Sequence, residues 1–233
     1  MDTFSSPRSR PLTLSHSVEA QVYGYFALAL ALTLLGIYAG MQYADALLSG
    51  GVLLLCVIAE FALILSARFW MERSLLNVVL FGLFPILSGI TVTPYLLYAV
   101  GAYVNGGNIL FNAFAATAFM AGAAAVFART TRWDLGVLGK ALIFGVLGLL
   151  FLGLLQIFIP SLQGGQMELL ISGGGIVIFA LFTAYDVQRI QALGRSGANP
   201  FLLALSLYLD IFNLFLFILR FMLAISGNRR QSW

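Results

Sequence analysis

The chain has 233 residues, of which 61 % are hydrophobic and only 9 % charged, and its formal net charge is +3. A soluble domain carries about 25 % charged residues, so this composition excludes a soluble globular enzyme, a disordered tail protein and a nucleic-acid binder. With one cysteine, Cys56, and one histidine, His16, a disulfide framework, a cysteine zinc site, a Ser-His-Asp triad and a His-rich metal centre are excluded too.

What remains is a polytopic helical membrane protein. A bilayer core takes about 20 apolar residues as a helix, and seven such runs occur in chain order. They cover 21–43, 51–67, 75–99 (interrupted at Thr93-Pro94), 109–128, 139–159 (closed by Pro160), 169–190 and 201–225 (opened by Pro200). The connections are short. The expected organisation is a polar tail over 1–20, a single seven-helix membrane domain over 21–226 and a short basic tail over 227–233. The N-terminal tail lacks the apolar stretch of a cleaved signal peptide, so the first run is expected to serve as an uncleaved anchor.

Basic residues mark the orientation. Arg8 and Arg10 lie in the tail, Arg68 and Arg73 flank the second connection, Arg129, Arg132 and Lys140 flank the fourth, and Arg189 and Arg195 lie at the sixth. The first, third and fifth connections contain no Lys or Arg. The positive-inside rule therefore places the N-terminus and the basic loops in the cytoplasm, with Trp70 and Trp133 expected at the same interface. Asn228-Arg229-Arg230 at the far end conflicts with seven full crossings. The last run either spans against the rule or is re-entrant.

A charge at mid-membrane costs roughly 2.5–3.5 kcal/mol for Asp, Lys or Arg on insertion scales. The apolar runs nevertheless contain Glu60, Asp186, Arg189, Asp210 and Arg220. With the turn placed between Gly194 and Pro200, Asp186 lies 8 residues before it and Asp210 lies 10 after it. At 1.5 Å per residue these are depths of about 12 and 15 Å. An antiparallel hairpin would hold the two carboxylates at nearly equal depth.

On the last run Ser206, Asp210, Asn213, Phe217 and Arg220 follow a 4-3-4-3 spacing. They form one stripe, which must face other helices or water, so the last helix is expected to be central. Glu60 needs an inward partner as well. The plainer structural readings are an interfacial Asp186 paired with Arg189, an Asp210 bonded to Asn213, an Arg189 snorkelling to the interface and an Arg220 that is a counter-charge or snorkels too.

Gly36-x-x-x-Gly40, Gly145, Gly148 and Gly153 fit close helix packing. Gly173-Gly174-Gly175 offers either a close backbone approach or a bend, and Thr93-Pro94 offers a break. Cys56 reads as a small buried apolar residue.

At this point a resemblance becomes specific. Thr183-Ala184-Tyr185-Asp186-Val187-Gln188-Arg189-Ile190 resembles the signature of the Bax inhibitor-1 family, also called the transmembrane Bax inhibitor motif family. The segment from Leu205-Ser206-Leu207-Tyr208-Leu209-Asp210 through Ile211-Phe212-Asn213-Leu214-Phe215-Leu216 is similar to that family's last-helix motif. Ser88-Gly89-Ile90-Thr91 and Gln21-Val22-Tyr23 fit as well, and the short polar ends resemble bacterial members.

The resemblance implies seven helices, the last one wrapped by two three-helix layers, and a pH-sensitive calcium leak. It implies that Asp186 and Asp210 are the proton sensor closing the pore on its cytoplasmic side. Glu60 would line the path, with Asn213 beside it. An arginine near the cytoplasmic end of the second helix, Arg68 or Arg73, would latch onto the aspartates. Some bacterial relatives associate with a membrane-anchored AAA protease.

The physics of the pair stands beside the resemblance. Two carboxylates a few ångströms apart in a poor dielectric cannot both ionise cheaply, so they tend to share a proton. Ionised together, they attract a hard cation such as calcium through oxygen ligands. A shared proton would tighten the sixth and seventh runs, and its loss would splay them.

Three other readings stay open. One is a non-transporting regulator that binds other membrane proteins. Another is a coupled transporter, although no internal repeat is evident in the letters. The last is an intramembrane aspartyl protease, for which Tyr185-Asp186 matches one half-motif while Leu207-Tyr208-Leu209-Asp210 stands where Gly-x-Gly-Asp is needed. On the favoured reading the chain is no enzyme, carries no cofactor, and touches lipid, calcium and protons in a bacterial inner membrane.

Overall fold

The computed structural model describes residues 18–49, 51–70, 74–159, 162, 165–193 and 198–227. The apolar runs become helices: α1 (Val18–Gln42), α3 (Gly51–Trp70), α4 (Ser74–Ala102), α5 (Gly106–Thr130), α6 (Leu138–Phe158), α7 (Gly165–Leu193) and α8 (Pro200–Ser226). A short α2 (Ala44–Leu48) follows α1, and one 3-10 turn (Leu135–Val137) precedes α6. Six of these helices are long and apolar enough to cross a membrane, while in α3 the apolar stretch is the shorter Gly51–Ala67. The helices overrun the expected spans because the hydrogen-bonded ladder continues into the interface, beyond the residues that hydropathy selects.

The α8 helix starts where the sequence says it should. Pro200 occupies the first turn, where its missing N–H costs nothing, and the Asn199 side chain accepts a hydrogen bond from the Phe201 N–H at 3.0 Å. The helix then runs unbroken for 27 residues to Gly227, which ends it in the left-handed conformation at φ 57°. That is about 40 Å of helix, unbroken and long and apolar enough to cross a membrane. It packs against α7, α1, α5 and α4. Half of its apolar window is buried, the largest share of any candidate span. Its stripe of polar residues thus faces protein, as expected of a central helix.

The most extensive helix contact is between α1 and α4. Gly36 sits against the Ile86 carbonyl and the Gly89 Cα, and Gly89 sits against the Thr33 carbonyl, so neither position has room for a Cβ. Gly40 is equally closed by Thr93. Without a hydrophobic drive in lipid, such backbone-to-backbone approach is what brings helices together. Two packed clusters result. One contains Trp70, Phe81, Phe84, Leu203 and Tyr208, towards the basic-loop side. The other contains Ala99, Tyr103, Phe179, Leu219 and Leu223, towards the opposite side.

Several expectations are corrected. Thr93-Pro94 does not break α4, which carries both Pro85 and Pro94 inside one helix. The Thr93 hydroxyl donates to the Gly89 carbonyl at 2.8 Å, and neighbouring α1 braces this stretch, which is how membrane helices absorb proline. The glycine triplet does not interrupt α7 either. A Cβ on Gly175 would collide with the Phe217 ring, so what approaches closely there is a side chain of α8 and not a backbone. Gly145 is close to Ile178, but a Cβ on Gly148 or Gly153 would meet nothing within 4 Å, so these two do not mediate packing in the chain. Trp133 is exposed, yet Trp70 is buried and donates its indole N–H to the Leu63 carbonyl at 3.1 Å. Cys56 is only half-buried.

Candidate functional site

The α7–α8 hairpin brings Asp186 and Asp210 together, as the depth argument anticipates. Both are buried, at 2 % and 7 % exposure. Their side chains lie within hydrogen-bonding reach of each other, and Ser206, one turn before Asp210, hydrogen-bonds Asp186. The Arg189 Nη1 stands 3.8 Å from the Asp186 Oδ1. Asp186 Oδ2 and Asp210 Oδ2 are both buried and accept no hydrogen bond from the described residues. A protonated carboxyl supplies the donor that two ionised ones lack, so one proton on the pair would satisfy an acceptor of this kind.

One plainer reading holds in part and another is corrected. Arg189 pairs with Asp186 within its own helix turn, as the plainer reading had it, although Asp186 is buried. Asn213 does not bond Asp210, because its Nδ2 donates to the Leu209 carbonyl at 2.7 Å. The latch arginine is a different matter. The side chain of Arg68, and Arg73 as a whole, lie outside the described residues, and the arginine found at the pair is Arg189.

Glu60 finds its inward partners on α4. The Thr91 hydroxyl donates to the Glu60 Oε2 at 3.0 Å, and Ser88 also hydrogen-bonds Glu60. Ser88 in turn reaches Tyr208 on α8, whose hydroxyl shares a hydrogen bond with the Thr33 hydroxyl of α1 at 2.8 Å. A polar chain therefore crosses α3, α4, α8 and α1. Sequence reasoning did not single out Tyr208 or Ser88 as functional. The signal was present, since both lie in the two motif segments, two residues from Asp210 and three from Thr91.

Above the pair lies a cavity of about 1040 Å³. Its wall includes Val57 and Glu60 of α3, Thr91 and Tyr95 of α4, Gln156 of α6, Glu168 of α7 and Asn213, Phe217 and Arg220 of α8. Tyr103, Gly165 and Gly227, at the ends of α4, α7 and α8 remote from the basic loops, also line it. Phe212 and Asn213, two and three residues from Asp210, line the cavity, whereas neither aspartate does. At its mouth Arg220 makes an ion pair with Glu168 through Nε and Nη2, the latter 2.7 Å from Oε2. The same Nη2 donates to the Gln156 Oε1 at 2.5 Å. Arg220 is thus a counter-charge, as its plainer reading held.

Fold and site together define an integral membrane protein of helices, with a carboxyl pair buried beneath a polar cavity. The family model described as "Inhibitor of apoptosis-promoting Bax1" matches residues 15–228. The chain belongs to the Bax inhibitor-1 family. It is 31 % identical to the inner membrane protein YbhL of Escherichia coli K12 over 249 aligned positions, covering 99 % of this chain and 100 % of YbhL. An uncharacterized protein of Campylobacter jejuni is 33 % identical over 218 positions, 93 % of this chain and 90 % of that one. An uncharacterized protein of Deinococcus radiodurans is 30 % identical over 247 positions, 99 % and 98 % of the two chains.

Proposed function

We propose that the chain is a pH-sensitive cation leak, with calcium as cargo, gated by Asp186 and Asp210 in a bacterial inner membrane. The observation that carries this reading is the position of the pair. Two touching carboxyls, buried among α7 and α8, lie one turn beneath the floor of a cavity that holds Glu60 and Asn213 in its wall. Cations enter from the side away from the basic loops and collect at Glu60. The pair stands between them and the cytoplasm.

The proton is the latch. A carboxyl pair that shares one proton holds α7 to α8. Loss of that proton leaves two like charges in a poor dielectric, which repel and part the helices. Ionised oxygens then offer a hard cation the ligands it prefers. Flux therefore rises from acid to alkaline pH. In this reading α8 is the hub of two three-helix layers. The chain catalyses no reaction and needs no cofactor.

The test is calcium influx into proteoliposomes of the pure protein across that pH range. Wild type should show flux that grows with pH. Asp186→Asn and Asp210→Asn should abolish the dependence, because an amide cannot lose the shared proton. Variants that keep wild-type flux and wild-type pH dependence would sink the mechanism.

A second reading is a non-transporting regulator of other membrane proteins, such as a membrane-anchored protease. The open face of Gly148 on α6 favours it, since a small residue of this kind admits another helix. Absence of flux at any pH, with a partner retained after mild solubilisation, would select it.

A further inference from the structure

We infer that Glu168 sets the sign of the potential in the outer cavity, by neutralising Arg220, and so makes the cavity one that admits cations. The transport consequence rests on the cation-leak reading, whereas the electrostatic claim does not.

Among the described residues, the charged side chains in the cavity wall are Glu60, Glu168 and Arg220, a formal net charge of −1. A bare guanidinium at the mouth would repel every approaching cation. Arg220 is not bare, because its fork engages both oxygens of the Glu168 carboxylate. Bidentate pairs of this type are the strong ones, fixed in geometry as well as charge.

Gln156 locks the pair from a third helix. Its amide oxygen accepts from Arg220, and its Nε2 donates to the Glu168 Oε2 at 3.2 Å and to the Leu162 carbonyl at 2.8 Å. Glu168 and Arg220 remain partly open to the cavity, with side-chain exposures of 17 % and 28 %. Their charges are therefore felt by whatever enters. Gln156 is a positioning residue in this arrangement, and Glu168 is the residue that decides selectivity.

Replacing charges one at a time moves the sum predictably. Glu168→Gln gives −1 +1 = 0 and leaves Arg220 unopposed at the mouth. Arg220→Gln gives −1 −1 = −2, and the double variant returns to −1. A cleft lined by one sign changes local ion concentration by about tenfold or more.

The experiment reads that potential directly. Gly153 lines the same cavity, and a Cβ there meets nothing within 4 Å. Gly153→Cys in a Cys56→Ser background offers one thiol for methanethiosulfonate reagents of matched size, one with a trimethylammonium group and one with a sulfonate. The quantity measured is the ratio of their reaction rates. Glu168→Gln should lower the cation-to-anion ratio about tenfold. Arg220→Gln should raise it, and the double variant should restore the parent value.

A role in folding alone would change both rates together and leave the ratio where it was, which overturns the inference. So would single variants that move the ratio in the same direction. If Glu168→Gln does not fold, Arg220→Gln and the charge-neutral double variant still give the decisive comparison. Calcium flux measured on the same proteoliposomes separates the two claims. A ratio that follows the charges in a protein without flux retains the vestibule's sign and overturns the leak.

Discussion

Tyr208 has two tasks that its position in α8 makes compatible. It is fully buried, its ring stacks on Phe212 at 5.5 Å, and its hydroxyl joins α8 to Thr33 and Ser88. Removing that hydroxyl leaves two buried partners short of a hydrogen bond, which costs about 1–3 kcal/mol. Tyr208→Phe should therefore lower the thermal midpoint of the detergent-solubilised protein. An unchanged midpoint would mean that the polar chain carries no stability.

Glu60 is the complementary case, because Thr91 and Ser88 hold its carboxylate in the cavity wall. Glu60→Gln keeps the shape and removes the charge. Calcium flux should fall about tenfold while its dependence on pH persists, since the sensor lies a turn deeper. Loss of the pH dependence in that variant would place Glu60 in the sensor instead.

The helices pair by two different devices. The α1–α4 contact depends on glycine, where Gly36 and Gly89 let backbones meet. Gly36→Leu inserts a side chain into carbonyl and Cα atoms and should destabilise by about 1–3 kcal/mol or prevent assembly. Gly148→Leu on α6 adds the same volume to open space, so its unfolding midpoint should match wild type. The α7–α8 contact instead combines one glycine, Gly175 beneath Phe217, with the aspartate pair. This second contact includes a buried carboxyl pair, so on the proposed reading it is the contact that responds to pH.

Seen end to end, the described residues form six helices long and apolar enough to cross a membrane, with a shorter apolar stretch in α3. The α1 and α8 helices are each unbroken, and α8 returns antiparallel to α7 after the basic α7–α8 connection. In the proposed topology α3 crosses too, and the two termini are expected on opposite faces. A protease added outside spheroplasts should cleave a tag after Trp233 and spare one before Met1. Protection of both tags would mean that α8 does not cross. The late Arg229-Arg230 pair is then a local exception to the positive-inside rule, outweighed by the earlier helices. At the opposite end of the bundle, Glu19 and Arg129 pair at 2.5 Å and join the start of α1 to the end of α5. This surface pair is solvated and adds little to stability.

Much of this was readable in the letters. Lipid forbids unpaired backbone, so apolar runs of span length must be helices, and their number and order follow directly. Equal depth of Asp186 and Asp210 followed from helical rise and one short turn. The stripe on the last run followed from helical period. The family signature lay in contiguous segments. What needed the tertiary structure was every choice among partners on different helices. Arg189 was free in sequence to snorkel or to face Asp186, and Arg220 was free to snorkel or to find Glu168, 52 residues away. Proline at 94 reads as a break until α1 and the Thr93 hydroxyl are seen to brace it. Of the spaced glycines, Gly36, Gly40 and Gly145 proved to be contacts, whereas Gly148 and Gly153 did not. Periodicity fixes which face of a helix a residue occupies, but lipid and protein are both apolar. Only the packing of neighbours decides which face meets which.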